Sequence, residues 1–263
     1  MFDKITPLGG EKHKGGERMK KIFAILVAFF VFCSSAVVWA EEVAEKSDEK
    51  TFSLSGEIRI FTPYVSEYTG EKISNGAVVQ PSITLTHNST GLYVSALGYI
   101  LRKGVDEYAL CFGKSTPLGG VTLDTGIGIN DVRKLGIIDG DFFIIYAGAD
   151  FPEVIGIIPF VYIEGNVPFK KEFAEGGVFW KLGARNKKPV EIAKQPFDFK
   201  IEAGGNDGIY GSDSKLLSFA RGTASTEVKL FGLKLSPSIA VQKGFGGIAG
   251  QEWRAIAGLT FLF

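Results

Sequence analysis

Apolar and polar positions alternate along the chain from residue 51 onward. In the segment TFSLSGEIRI, Leu54 and Ile58 share one side of an extended strand, while Glu57 and Arg59 lie on the other side. This alternation predicts a β-strand with one apolar face and one polar face. Equally clear alternation occurs in later segments at residues 177–185, 195–203, 233–242 and 252–263.

Further segments of similar length show a weaker form of the pattern, at 77–87, 92–101, 107–116, 120–130, 141–150, 156–166 and 216–230. Together the segments predict twelve strands. None of them keeps a helical period, and several contain interior glycines, which weaken helices. The composition agrees, because 34 glycines and 22 phenylalanines accompany only two methionines, a mixture that favours short strands and tight turns. The sequence therefore predicts an all-β protein.

The connections between the predicted strands fall into two alternating kinds. Short turns are expected at 88–91, 117–120, 151–156, 186–194 and 231–232, and mostly longer loops at 64–76, 102–106, 131–140, 167–175, 205–215 and 244–251. Because the number of strands is even, the turns share one end of the sheet with both termini, and the loops share the other. This asymmetry is typical of a transmembrane antiparallel up-and-down β-barrel, here spanning residues 51–263, with short periplasmic turns and longer outer loops.

A soluble β-sandwich or lipocalin-like barrel would show the same alternation, because the pattern does not say which face is wet. Three features favour the membrane barrel. Strands of about ten residues match the length that crosses a bilayer at the usual tilt, the chain carries an export signal, and its last strand ends on an aromatic residue of the apolar face. A closed sheet also pairs every backbone group at membrane depth, so the last strand should pair antiparallel with the first.

The export signal occupies residues 19–40. Two lysines precede an apolar run that ends in the sequence VWA, whose small residues suit cleavage by signal peptidase. The mature protein is then expected to begin near Glu41, with the polar segment 41–50, and to reach the bacterial outer membrane. An uncleaved membrane anchor is the alternative, since the apolar run approaches the length that spans a bilayer.

Residues 1–18 are polar and glycine-rich, which no signal peptide needs. Met19 is therefore interpreted as the initiator, and residues 1–18 as an overlong gene prediction. Cys33 lies inside the apolar run, but Phe32 stands before it where a lipobox needs a small residue, so lipidation is not expected. Cys111 is then the single cysteine of the mature chain, which excludes an intramolecular disulfide.

The final segment WRAIAGLTFLF places apolar residues at alternate positions up to the last residue. Such a strand with a terminal phenylalanine resembles the signal that the barrel-assembly machinery reads in outer-membrane proteins. We expect this strand to be the seam that closes the barrel, with its apolar side toward outer-membrane lipid. The residues assigned to this assembly signal are Trp253, Leu259, Phe261 and Phe263.

Several segments resemble the TorF-type porin family of Gram-negative outer membranes. They are SEY at 66–68, VQPSITLTHNSTGLYV at 79–94, LGGVTLDTGIGI at 118–129, YAGADFP at 146–152 and FGLKLSPSIAV at 231–241. In that family a Ser-x-Tyr element is followed by a glutamine-containing second strand and a Gly-Leu-Tyr or Gly-Phe-Tyr third strand. Here Thr69-Gly70 replaces the family's Arg-Gly pair. The resemblance covers most of the mature chain and implies a porin-like barrel in the outer membrane.

The polar faces of the predicted strands give a set of lumen-lining residues. Their signs are mixed, so no single-sign ring predicts strong selectivity for cations or anions. They are consistent with a porin that passes small polar solutes, in which the charges create an electric field across the lumen. They are equally consistent with charge pairs that plug the lumen of a non-conducting structural or ligand-binding barrel. The set comprises Glu57, Arg59, Gln80, Thr84, Asp124, Glu164, Lys181, Arg185, Asp198, Lys200, Glu202, Glu227, Lys229 and Lys234.

No sequence feature predicts catalysis, a cofactor or a nucleic-acid partner. The 29 basic and 29 acidic residues cancel, whereas a nucleic-acid-binding protein normally has a basic excess. His87 and Ser89 are close in the chain, but a turn at the membrane interface explains them better than a nucleophile and its base. The segment GKST at 113–116 lacks the first glycine of a phosphate loop. No His, Cys or carboxylate cluster has the spacing of a zinc or calcium site.

Overall fold

The computed structural model describes residues 51–65, 72–74, 76–101, 106–133, 140–169, 176–207, 215–230, 232–245 and 252–263. The expectations for residues 1–18, 19–40 and 41–50, and for the SEY element, fall outside these ranges. In the described part of the chain, no helix has the length and apolar character needed to cross a membrane. Residues Thr51–Phe263 form one unit.

The described residues form twelve strands of 10 to 13 residues. Each begins within one residue of its predicted start, so the all-β prediction is confirmed. The strands are β1 (Phe52–Thr62), β2 (Val78–His87), β3 (Leu92–Leu101), β4 (Asp106–Leu118), β5 (Val121–Arg133), β6 (Gly140–Asp150), β7 (Ile157–Pro168), β8 (Gly177–Asn186), β9 (Gln195–Asn206), β10 (Lys215–Ser225), β11 (Leu233–Gly244) and β12 (Trp253–Leu262).

Each strand pairs antiparallel with its neighbours in sequence, and β12 pairs with β1, so the sheet closes as an up-and-down barrel. At this seam Arg59 lies opposite Thr260 and Ile60 opposite Leu259. Beyond the paired strands, the backbones of Gly56 and Phe263 exchange two hydrogen bonds of 3.0 and 3.1 Å. The predicted pairing of the last strand with the first is therefore confirmed, and closure leaves none of the twelve described strands at an edge of the barrel.

Turns and loops occupy opposite ends of the barrel, which we call the turn end and the loop end. At the turn end, the hydrogen-bonded connections lie at 88–91, 119–120, 151–156, 187–194 and 226–230. Left-handed conformations in these tight turns fall on glycines such as Gly91 (φ 69°) and Gly120 (φ 87°), which adopt them without steric cost, and also on Ile155, Ala193 and Lys194. The short turns predicted from the sequence are thus present in the fold, whereas most residues of the predicted loops lie outside the described ranges.

Two neighbouring turns are joined to each other at this end. The backbone N–H of Lys187 donates to the carbonyl of Gly156 at 2.9 Å, and the Lys187 ammonium pairs with the Glu153 carboxylate. The hydrogen bond from Lys187 lowers the pKa of Glu153, because it favours the charged form of the acid. The contact fixes the turn after β6 against the turn after β8.

The sequence interpretation of 216–230 as one strand is wrong in detail. Strand β10 ends at Ser225, and a short strand, Val228–Leu230, pairs with the start of β11. The break falls at Thr226, whose hydroxyl donates to the carbonyl of Pro196 at 2.6 Å. Alternation across the break continues in the sequence, and therefore conceals it.

Candidate functional site: the barrel lumen

The barrel has its apolar face outside and its polar face inside, which is the reverse of a soluble protein. Outward-facing apolar side chains in mid-strand are exposed, for example Leu110 at 55% and Ile201 at 66%. Inward-facing polar side chains are buried, for example Glu164 at 6% and Gln242 at 1%. A large exposed apolar surface marks a region that contacts another apolar phase. The soluble β-sandwich and lipocalin-like alternatives are therefore disfavoured, because they would bury the apolar face.

The strand register shows where the predicted lumen residues lie. Eleven of the fourteen, all charged or polar, lie on the inner faces of β1, β2, β5, β7, β8 and β9, and Lys234 lies on the inner face of β11. The barrel thus brings residues together that are distant in sequence. Glu227 differs, because it lies in the break after β10, and Lys229 lies on the short strand that follows the break.

One cluster on the inner wall joins β3, β5 and β6. The Tyr93 hydroxyl donates to a carboxylate oxygen of Asp124 at 2.7 Å, and it lies 2.6 Å from the Tyr146 hydroxyl. Three hydrogen-bonding groups from three strands therefore meet. Tyr93 lies opposite a glycine of β4 and Tyr146 lies opposite a glycine of β5, so the two tyrosines approach each other over these neighbouring strands. The Asp124 side chain is thus fixed on the inner wall by a phenol donor.

Two further acids on this side of the barrel also accept hydrogen bonds from neutral groups. Glu164 accepts from the Tyr162 hydroxyl at 2.5 Å and from the Asn166 amide at 2.7 Å. Glu107 accepts from the Asn130 amide at 2.8 Å. Buried carboxylates normally need such donors, and here phenols and amides supply them.

Two other carboxylates of the inner wall, Glu202 and Asp150, are held differently, by cations. Glu202 lies between Arg221, at 2.5 Å, and Lys200, at 3.1 Å. Its side chain is fully buried, while that of Lys200 is 37% exposed. Where β8 approaches β6, Arg185 forms an ion pair with Asp150 at 2.6 Å. Arginine suits these positions because its planar guanidinium binds carboxylates through more than one N–H group.

Glycines on the inner wall make room for aromatic rings that lie flat against it. Tyr146 is directly opposite Gly126 in the strand register, Phe160 is opposite Gly183, and Phe219 is opposite Gly204. A Cβ atom at each of these glycines would overlap the ring of its partner. The rings therefore cover the wall instead of projecting across the lumen.

Gly126→Ala is expected to lower the free energy of unfolding by about 1–3 kcal/mol, the usual cost of adding a methylene group to a packed site. The added methyl group would lie 2.6 Å from the carbonyl oxygen of Phe112 and would overlap the Tyr146 hydroxyl. Urea unfolding in lipid vesicles measures this change. Gly222→Ala is the matched control, because no atom lies within 4 Å of its Cβ position, and an equal loss in both variants would contradict the prediction.

Several inner-wall residues were not predicted from the sequence. The charged ones are Glu107, Asp150, Arg221 and Arg254, and the neutral ones include Tyr93, Tyr146, Tyr162, Asn130, Asn166 and Gln242. Parity along each strand was sufficient to find the charged residues. The contacts of the tyrosines depend on cross-strand register, which a single sequence does not display.

The weaker chemical motifs are ordinary structural features. His87 Nδ1 lies 2.8 Å from the Thr90 hydroxyl and 3.3 Å from the Ser89 hydroxyl, all within one exposed turn. The GKST segment lies inside strand β4. Within the described residues, no group of three His, Cys, Asp or Glu side chains is placed to hold a metal ion.

No protein-family model matches the chain, and no curated protein matches its sequence. Solved structures that resemble it include the KdgM porin, with 9% identity, a TM-score of 0.52, and coverage of 80% of this chain and 99% of that chain. The KdgM porin in complex with disordered oligogalacturonate also matches, with 8% identity, a TM-score of 0.52 and the same coverage. The NanC porin matches with 8% identity, a TM-score of 0.49, and coverage of 80% and 99%. The chain therefore has the closed antiparallel barrel fold of known porins.

Proposed function

We infer that this protein is an outer-membrane porin through which small polar solutes diffuse passively, and that it has no enzymatic activity. One observation carries the inference: the barrel is closed, with exposed apolar side chains outside and charged side chains inside. This arrangement is typical of a membrane channel. The fold that the chain shares with the KdgM porin supports the same function.

The proposal includes a route to the membrane. The signal peptide at 19–40 would direct export, the mature chain would begin near Glu41, and residues 1–18 would precede the true start. The barrel-assembly machinery would then recognise the strand that ends at Phe263. Membership of the TorF-type family, suggested by the short segments described above, belongs to this proposal and accounts for the same location.

Conductance in planar lipid bilayers tests the porin function. Refolded residues 41–263 are expected to produce single-channel current steps. Thr84 offers a place to narrow the lumen, because it faces inward and its register partners, Ser55 and Ser95, are small. Thr84→Trp should lower the conductance, whereas Leu85→Trp, on the lipid side of the same strand, should leave it unchanged. A fall of equal size in both variants would contradict conduction through this lumen.

A non-conducting barrel is the second candidate, and the buried polar residues of the inner wall favour it. Gln80, Asn130, Asn166, Asn206 and Gln242 lie in the half of their strands nearest the loop end, and each is less than 9% exposed. Dense polar packing of this kind could close the lumen at that level and leave a structural or ligand-binding protein. A folded, heat-modifiable barrel that gives no current steps would establish this candidate and exclude the porin.

A further inference from the structure

Apart from the ion pair between Glu57 and Arg59 on β1, the charged side chains on the inner faces of the described strands are separated by sign between two arcs. On β4–β7, the described inward-facing side chains include four carboxylates and no cation. On β8–β12, the described inward-facing side chains include six cations and two carboxylates. The acidic arc carries Glu107, Asp124, Asp150 and Glu164, and the basic arc carries Lys181, Arg185, Lys200, Arg221, Lys234 and Arg254 together with Asp198 and Glu202.

Strands β10–β12 of the basic arc lie opposite β4–β6 of the acidic arc across the lumen, whereas β8 and β9 follow β7 around the wall. In a closed barrel of twelve strands, each strand lies opposite the strand six positions further on. Thus β4, with Glu107, faces β10, with Arg221. In the same way β5, with Asp124, faces β11, with Lys234.

Local pairing cancels this separation only in part, since Lys234 lies 3.9 Å from Glu227 and Arg254 lies 3.8 Å from Glu252 on the basic side. Asp124 is held by the Tyr93 hydroxyl and Glu107 by the Asn130 amide, both of which are neutral donors. On the basic arc, Glu202 is shared by Arg221 and Lys200, so two cations balance one acid. An ion pair between Arg185 and Asp150 connects the arcs near the turn end, where β8 lies close to β6.

Opposite charges on facing walls of a narrow lumen create a field across it, and low-dielectric walls concentrate that field. A solute with one net charge is attracted by one arc and repelled by the other. A zwitterion can direct its cationic group to the acidic arc and its carboxylate to the basic arc, so both ends gain. We propose that the lumen favours small zwitterionic solutes of the amino-acid class, an inference that rests on the proposed porin function.

Permeation through vesicles that contain the full-length protein tests this preference. L-Alanine is zwitterionic near neutral pH, and lactamide is a neutral molecule of nearly the same size. Alanine is expected to permeate several times faster than lactamide, after subtraction of the rates in protein-free vesicles. Equal rates, or faster permeation of lactamide, would overturn the preference while leaving the porin function intact. If neither solute permeates, the porin function and the preference are both overturned.

A charge-neutral double variant then tests the two arcs directly. Asp124→Asn with Lys234→Gln removes one charge from each arc and leaves the net charge of the protein unchanged, and it should lower the ratio of alanine to lactamide permeation. The matched control is Lys188→Gln with Glu191→Gln, at the exposed turn between β8 and β9, which should keep the ratio of the parent protein. An equal effect of both double variants would overturn the assignment of the preference to the lumen. The comparison of the two solutes in the parent protein is decisive even if a variant does not fold.

Discussion

Leu110→Arg is expected to lower the free energy of unfolding in lipid vesicles by about 2–4 kcal/mol, the cost of placing arginine near the bilayer midplane on the outside of a barrel. Leu110 lies in the middle of β4, faces outward and is 55% exposed. In a soluble protein, the same exposure would make the substitution nearly neutral. The size of the loss therefore reports the medium that surrounds the barrel.

Thr84→Arg is the matched control for this measurement, because it introduces the same side chain on the inner wall. Thr84 lies between Ser55 and Ser95 in the register and faces the lumen. Its replacement should cost much less than that of Leu110. Equal stability of the two variants in urea titrations, or a greater loss for Thr84→Arg, would contradict the assignment of the faces.

Phe263→Ala is expected to reduce the yield of assembled barrel several-fold, because it removes a ring that packs across the seam. The Phe263 ring lies directly over Gly56, and a Cβ atom at that glycine would overlap it. The two backbones also exchange hydrogen bonds. Heat-modifiable mobility on gels, after expression in a bacterial outer membrane, measures the assembled fraction.

Phe52→Ala provides the control for the seam, since Phe52 is another exposed aromatic residue at the turn end of β1. It should change the assembled fraction much less than Phe263→Ala. Gly56→Ala should also reduce assembly, but its effect should be smaller when Phe263 is already alanine, because the clash partner is gone. Strictly additive effects in this double-mutant cycle would mean that the two residues do not interact.

Strand positions and faces could be predicted from the sequence because alternation reflects the geometry of a single strand. Leu54 and Glu57 reveal their faces without knowledge of any neighbour. The pattern extended even to β12, where the alternation around Leu259 predicts the outer face. Local information was sufficient for these features, whereas the pairing of β12 with β1 followed from the requirement that the sheet close.

The contacts within the lumen required information that no single strand contains. Tyr93 and Asp124 are 31 positions apart, and Tyr93 and Tyr146 are 53 positions apart; they meet only because the register of four strands is fixed. The separation of charge into two arcs likewise appears only when the strands are arranged around the barrel. For Glu227 the alternation itself misled the prediction. Because the alternation continues without a break past Ser225, it placed Glu227 on a strand, whereas β10 ends at Ser225.

Tryptophan fluorescence tests the central claim most directly, because the chain contains three tryptophans and a protein that begins at residue 41 retains just Trp180 and Trp253. Both lie on the outer face of the barrel, and Trp253 is 67% exposed. If this face meets lipid, brominated lipids should quench the emission strongly, while aqueous acrylamide should quench it weakly. Strong quenching by acrylamide with no effect of brominated lipids, from a protein that stays monomeric without detergent, would contradict the membrane barrel.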